Sequence, residues 1–450
     1  MSYSNLFAAV ESGEEEPNEA GVAFDNDGSP SEEEVETLDN LVEETTVAAQ
    51  SVTDANDAAD DLEDAVQGLE AFCEEGDLLS PYVHQSFSSR LASAMEGKDY
   101  ILDSFSLEDA KTTQGGFIGA VKLGFEKAVE MLKKAIEFVR DTARKLWIWL
   151  TDKSPAIAKR AKQLKGMITG NRNPKQKLTI KKLSPLGEVD GRTLIVDANT
   201  ISTAASWLST VPGEIKDDVG ASMKVSKTIM DITGEASALI GRSAAHDRFT
   251  DALMVRLERS VAGEYIGQRW GARSMLTGGP ITEHVLPRGK MPGGASLVAS
   301  MTSRNSLSAV SVLAVLKTIS LKIDYSEYNE FKIDEKLEDN TDANVLMQRL
   351  HEVEKCALAV KDFKRDMQQR YDDYDKAVTI AEGVIKKANS YEGATDTPLR
   401  AVGTFLRNTV FRVASTAYTK VLYRRADLTA AHALKVCNAF NAYAACYTGE

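Results

Sequence analysis

A run of lysines and arginines between positions 122 and 165 carries the most legible chemistry in this sequence. Lys122, Lys127, Lys133, Lys134, Arg140, Arg144 and Lys145 fall opposite an apolar series: Ile118, Val121, Phe125, Ala128, Leu132, Ile136, Val139, Ala143, Leu146 and Leu150. The apolar steps are threes and fours, the spacing of one helix face. Lys159, Arg160, Lys162 and Lys165 follow. Cations at such spacing suit contacts to a phosphate backbone, which release counterions without reading base sequence. Two other readings share the pattern. One is an amphipathic helix packed on a core, with a solvated charged face. The other is a membrane-surface helix over 117–150, encouraged by Trp147-Ile148-Trp149 among the basic residues.

The charge of the whole chain gives this stretch its meaning. From Lys111 to Lys182 there are 18 Lys/Arg against 5 Asp/Glu, whereas the 450-residue chain has net charge –14. Residues 1–110 carry 29 acidic side chains and only two basic ones, Arg90 and Lys98. Residues 183–450 balance near zero. An acidic segment beside a basic one is attracted to it, more strongly at low salt. The acidic segment reads as a solubilising tail, a charge mask for the basic stretch, or a partner-docking segment. Its first thirty residues, rich in Glu, Gly, Asn, Pro and Ser, are expected to be disordered. Ser31 with Glu34 then forms a capping box for a helix with an apolar stripe through Val35, Leu38 and Val42.

Enzymatic signatures are sparse. There is no phosphate-binding GxxxxGK[ST], no dinucleotide GxGxxG after a strand, no HExxH and no GxSxG. The five histidines are scattered and read as structural. The four cysteines form no CxxC pair and read as free thiols, with Cys356, Cys437 and Cys446 in apolar helical patterns. No cofactor and no metal site is expected. One fragment, Leu194-Ile195-Val196-Asp197-Ala198-Asn199, ends a strand on a carboxylate and resembles the first metal-binding position of PIN-like and flap nucleases. Such sites need further carboxylates, and no matching strand–Asp element follows. A helix cap through Asp197 or Asn199 accounts for the fragment more simply.

The elements expected to position these residues make a mainly α (α+β) protein: a helix-rich body with a small mixed sheet behind a disordered acidic N-terminus. The division expected is 1–96 acidic and partly disordered, 97–175 basic helical, 176–340 α+β, and 341–450 helical. Ser154-Pro155 is expected to interrupt the basic helix. Strands are predicted at Leu178–Leu183, Thr193–Val196, Ile281–Leu286 and Ala295–Met301, with a hairpin from Lys317–Tyr325 and Glu330–Ile333. Helices are predicted from Asn199 to about Leu208, from Ala221 to about Ser260 with a break near Gly234, over Ser303–Leu316, and from Asp342 onward. Arg407, Arg412, Lys420, Arg424 and Arg425 read as a solvated basic face.

This layout resembles the internal head proteins of large tailed phages, the jumbo-phage inner-body group in particular. The likeness lies in an acidic Met1–Ala110, a basic Lys111–Lys182 and an α-rich body with a small sheet. The resemblance implies a non-enzymatic structural protein of the capsid interior, with host cytoplasm as its place of assembly and ejection with the genome as one outcome. It implies double-stranded DNA, bound without sequence preference, other virion or capsid proteins, and further copies of the chain as partners. It also implies a prohead protease that cuts after Glu when a small residue lies two positions earlier. Ala94-Met95-Glu96, followed by Gly97, fits; so do Ala9-Val10-Glu11 and Ala262-Gly263-Glu264. Residues 1–96 hold 25 acidic residues and one basic, so cutting after Glu96 would move the chain from –14 to +10.

Overall fold

A computed structural model of the protein describes residues 34–49, 116–168, 183–190, 193–239, 283–300, 320–325, 332–333, 341–389 and 423–448, with single positions 51, 55, 252, 256 and 406. The expectations for residues 1–33, the triplet Ala94–Glu96, the strand at 178–182 and the helix at 303–316 fall outside these residues.

The helices are α1 (34–49), α2 (Gly116–Ile168), α3 (Ala198–Leu239), α4 (Ala343–Asp362), α5 (Lys364–Asn389) and α6 (Tyr423–Ala445). The mainly α architecture therefore holds. Helix α2 is the longest element at 53 residues. Its stripe of Leu132, Ile136, Val139, Ala143, Leu146 and Leu150 is buried, and Ile157, Ala161, Leu164 and Ile168 continue it.

Two expected breaks do not occur. Pro155 lies inside α2 and leaves the Thr151 carbonyl without its usual donor. The Ser154 hydroxyl donates to that carbonyl at 3.4 Å, and the helix carries on. Helix α3 likewise runs unbroken through Pro212, Gly213, Gly220 and Gly234. Each interior glycine costs a helix about 1 kcal/mol relative to alanine. The buried stripe of Val211, Ile215, Val219, Val225, Ile229, Ile232 and Ala236 outweighs that.

Helix α6 is the axis of the bundle. It packs against α2, α3 and α4, while α4 lies along α2 and α5 along α3. Between Arg424 and Ala444 nearly every side chain of α6 is buried. A helix covered on all sides must be apolar all round or pair every polar group it carries. Asp342 caps α4 by accepting from the Asn344 N–H at 2.7 Å.

Among the described residues, the strands form two three-stranded sheets. In the first, β1 (Glu188–Asp190) pairs antiparallel with β2 (Thr193–Ile195), and β2 pairs parallel with β6 (Lys332–Ile333). In the second, β3 (Glu283–Lys290), β4 (Ala295–Ser300) and β5 (Ser320–Tyr325) form an antiparallel meander. The hairpin expected between β5 and β6 is absent. The six residues between them, Ser326–Phe331, hold no Gly or Pro and none of the tight-turn dipeptides that fix a register. The β3–β4 turn does hold them: Gly293 and Gly294 have φ of 77° and 67°, which side-chain-bearing residues rarely adopt. Gly293 N–H donates to Gly187 O at 2.6 Å, and a Cβ on Gly187 would lie 2.8 Å from Ile195 O. Glycine is thus required where the two sheets meet.

A candidate nucleic-acid interface

Helix α2 positions every cation singled out for phosphate contact, but it does not present them alike. Lys122 and Lys127 lie on α2 with side chains outside the described set. Lys145, Lys159 and Lys162 are exposed. Most of the others meet carboxylates from elsewhere in the body. Lys133 Nζ lies 3.1 Å from Glu382 of α5. Arg140 Nη1 lies 3.1 Å from Asp375, also of α5, and its Nε 3.2 Å from the neighbouring Asp141. Arg144 Nη2 lies 3.7 Å from Asp372 and 3.9 Å from Asp375. Lys165 pairs with Glu354 of α4 at 3.1 Å, and Lys134 with Glu130 at 3.8 Å. Arg160 is buried. The exposed flank also carries Asp141 and Asp152 among its lysines.

These pairings leave an electrostatic imprint. Burial opposes the charge on Arg140, yet Asp375 and Asp141 outweigh it and hold the pKa above its ordinary value. Burial would raise Glu382, but hydrogen bonds from Lys386 and Lys133 pull it below the usual carboxylate range. The aromatic pair expected to meet a bilayer is turned inward at its first member. Trp147 is buried, and its Nε1–H donates to Asp427 at 2.6 Å. Among the described residues, no helix is long and apolar enough to cross a membrane.

The acidic segment touches this surface. Helix α1 lies against α2 and α6 with Leu38, Ala48 and Ala49 buried, as is Ala55 beyond it. Glu34 Oε1 of α1 meets Lys153 Nζ of α2 at 2.6 Å. Asp39 pairs with Lys435 of α6. Arg424, at the start of α6, donates to the hydroxyls of Thr45 and Thr46, the latter at 2.6 Å. Lys153 and Lys435 are the residues that sequence reasoning missed.

Arg424 and Arg425 correct the expectation of a solvated face, for Arg424 is 1% exposed. Burial lowers the Arg424 pKa to about 10 against the opposing pull of Asp427. Arg425 Nε lies 3.2 Å from Asp218 Oδ2 of α3. A partial signal existed: both arginines head a helix whose alanines, leucines and aromatic residues spread over several faces, and a broad apolar surface marks an interior helix.

Beneath Arg424 lies a closed polar core. Arg370, at 0% exposure, donates to Asp427 Oδ1 at 3.2 Å, beside the Trp147 bond to the same oxygen. Burial raises the Asp427 pKa against Arg370, Trp147 and Arg424. Farther along α6, His432 Nε2 donates to Pro292 O at 2.8 Å, and its ring meets Trp207 edge-on at 5.5 Å.

Asp197 is a cap. Its Oδ1 accepts from the N–H groups of Asn199 at 2.9 Å and Thr200 at 2.8 Å, and opens α3. Among the described residues, no group of three His, Cys, Asp or Glu could hold a metal ion.

Compared with known proteins, residues 30–445 match the family model described as phiKZ-like phage internal head proteins. No curated protein and no solved structure matches.

Proposed function

Because this chain belongs to the family of phiKZ-like phage internal head proteins, we propose that it works inside the capsid as a structural protein whose acidic leader holds its cations until the leader is cut away. It is a virion structural protein of the head interior and associates with other virion components. The finer reading is that the matured body binds packaged duplex DNA or the inner shell by charge, without reading sequence. The observation that carries it is the contact across the divide in sign: Glu34 of the acidic segment meets Lys153 of the basic helix at 2.6 Å. Segments of opposite charge held this way part more easily as salt rises.

The test has two parts. Peptides from residues 1–96 should be depleted in purified particles relative to residues 97–450; equal abundance overturns the processing step. Duplex binding by the processed protein should fall steeply with salt, by about 0.9 in log K per phosphate contact for each unit of log salt. A processed protein with no duplex affinity at low salt removes the nucleic-acid half of the reading.

A further inference from the structure

Helix α1 carries five carboxylates and no cation. Its seat uses two of them: Glu34 meets Lys153, and Asp39 meets Lys435. Glu36, Glu43 and Glu44 are exposed, and none of them forms an ion pair with a described residue. Glu43 and Glu44 share one face with Asn40 and Val47, at steps of three and four. Val47, at 58% exposure, is the most exposed large apolar side chain among the described residues. This face points away from the body, because Leu38, Thr45 and Ala48 turn the other side of α1 inward.

The outer flank of α2 has the opposite sign over a stretch of similar length. Lys159 and Lys162 are exposed and form no ion pair with a described residue. Gln163 is exposed beside them, and Pro155 and Ala156 are half-buried one turn before. Asp152 and Asp141 lie farther toward the start of α2, and Asp141 is engaged by Arg140. Set antiparallel, the two helices match. Glu43 and Glu44 fall beside Lys159 and Lys162, Val47 beside Pro155 and Ala156, and Asn40 beside Gln163. Positions 40 to 47 and 163 to 156 each cover about 10 Å of helix. The contact cannot form within one chain, since α1 is held in its seat with this face outward. A second copy has no such restriction.

We propose that the outer face of α1 in one copy docks antiparallel on Lys159 and Lys162 of α2 in a second copy, so that the leader masks the basic helix of its neighbour. This rests on the reading that the acidic leader covers cations until it is cut away, and it names the partner on which the leader acts. The contact joins two different surfaces, so it repeats head to tail and builds open chains of copies. Exposed ion pairs are individually weak and salt-screened. Many such contacts in one assembly hold together by number, and cutting the leader away from each copy removes them.

The experiment follows the full-length chain by sedimentation velocity over a range of concentrations and salt. The intact chain should self-associate at low salt and dissociate as salt rises. Glu43→Lys with Glu44→Lys should weaken association at least about tenfold, because like charges then face each other. Lys159→Glu with Lys162→Glu should do the same. Each double substitution shifts the net charge of –14 by four, and both variants remain acidic. An equimolar mixture of the two variants should recover association, since each then offers the charge that the other lacks. That recovery separates a lost contact from a lost fold, and circular dichroism checks the helices. A chain that stays monomeric at low salt overturns the proposal. So does association that either double substitution leaves intact, or a mixture that stays apart. Release of the leader is read separately, from peptide abundance in particles, so the two readings fail independently.

Discussion

At the scale of single residues, the side chains that matter most to this fold are polar ones that it hides. Asp427 gathers Arg370 and Trp147 on one carboxylate oxygen in the centre of the bundle. Removing one member of such a buried pair costs about 3–5 kcal/mol, because the other charge is stranded. Asp427→Ala should lower the stability measured by urea unfolding by that amount. Arg370→Met with Asp427→Leu should recover much of the loss. His432 supplies a second test. Burial and the charge of Lys435 push its pKa down to about 3, against the Pro292 hydrogen bond. The unfolded chain takes up this proton near pH 6.5, but the folded chain does so only near 3. Stability should therefore fall as pH drops through that window, by up to about 1.4 kcal/mol per pH unit from this residue. Chemical denaturation of His432→Gln between pH 4 and 6.5 should show a correspondingly shallower slope.

At the scale of elements, the chain's punctuation proved weaker than its periodicity. The apolar stripes of α2 and α3 run straight through Pro155, Pro212 and three glycines, because burial along a long helix outweighs local propensity. Pro155→Ala should raise the melting temperature, since the ring clash disappears and the Thr151 carbonyl regains a backbone donor. Ser154→Ala should lower stability by about 1 kcal/mol, the net worth of one hydrogen bond. The helix start at Asp342, the stripe of Leu346, Leu350, Val353, Ala357 and Val360, and the strand at Thr193–Ile195 were all legible, because a few adjacent residues specify each. The pairing of β6 with β2 was not, since about 140 residues of chain separate them and a two-residue strand carries no pattern of its own.

At the scale of the whole molecule, the division in sign is real but its neutralisation is shared. Carboxylates of α5 cover the central part of α2, as Glu34 of the acidic segment meets Lys153. Asp372→Asn with Asp375→Asn should uncover Arg140 and Arg144 and steepen the salt dependence of duplex binding by up to about 1.8. Thermal stability should change by under about 1 kcal/mol per pair, the usual worth of partly exposed ion pairs. The sequence by itself determined that the chain is helical, where its long stripes lie, and that its charges are segregated, because helix periodicity and charge runs are local properties. Only the tertiary structure decided which cations are free. Lys133 meets Glu382 across 249 residues of sequence, and Arg424 meets Thr45 across 379. Coulomb attraction and burial act through space, so the identity of each partner depended on how the helices pack.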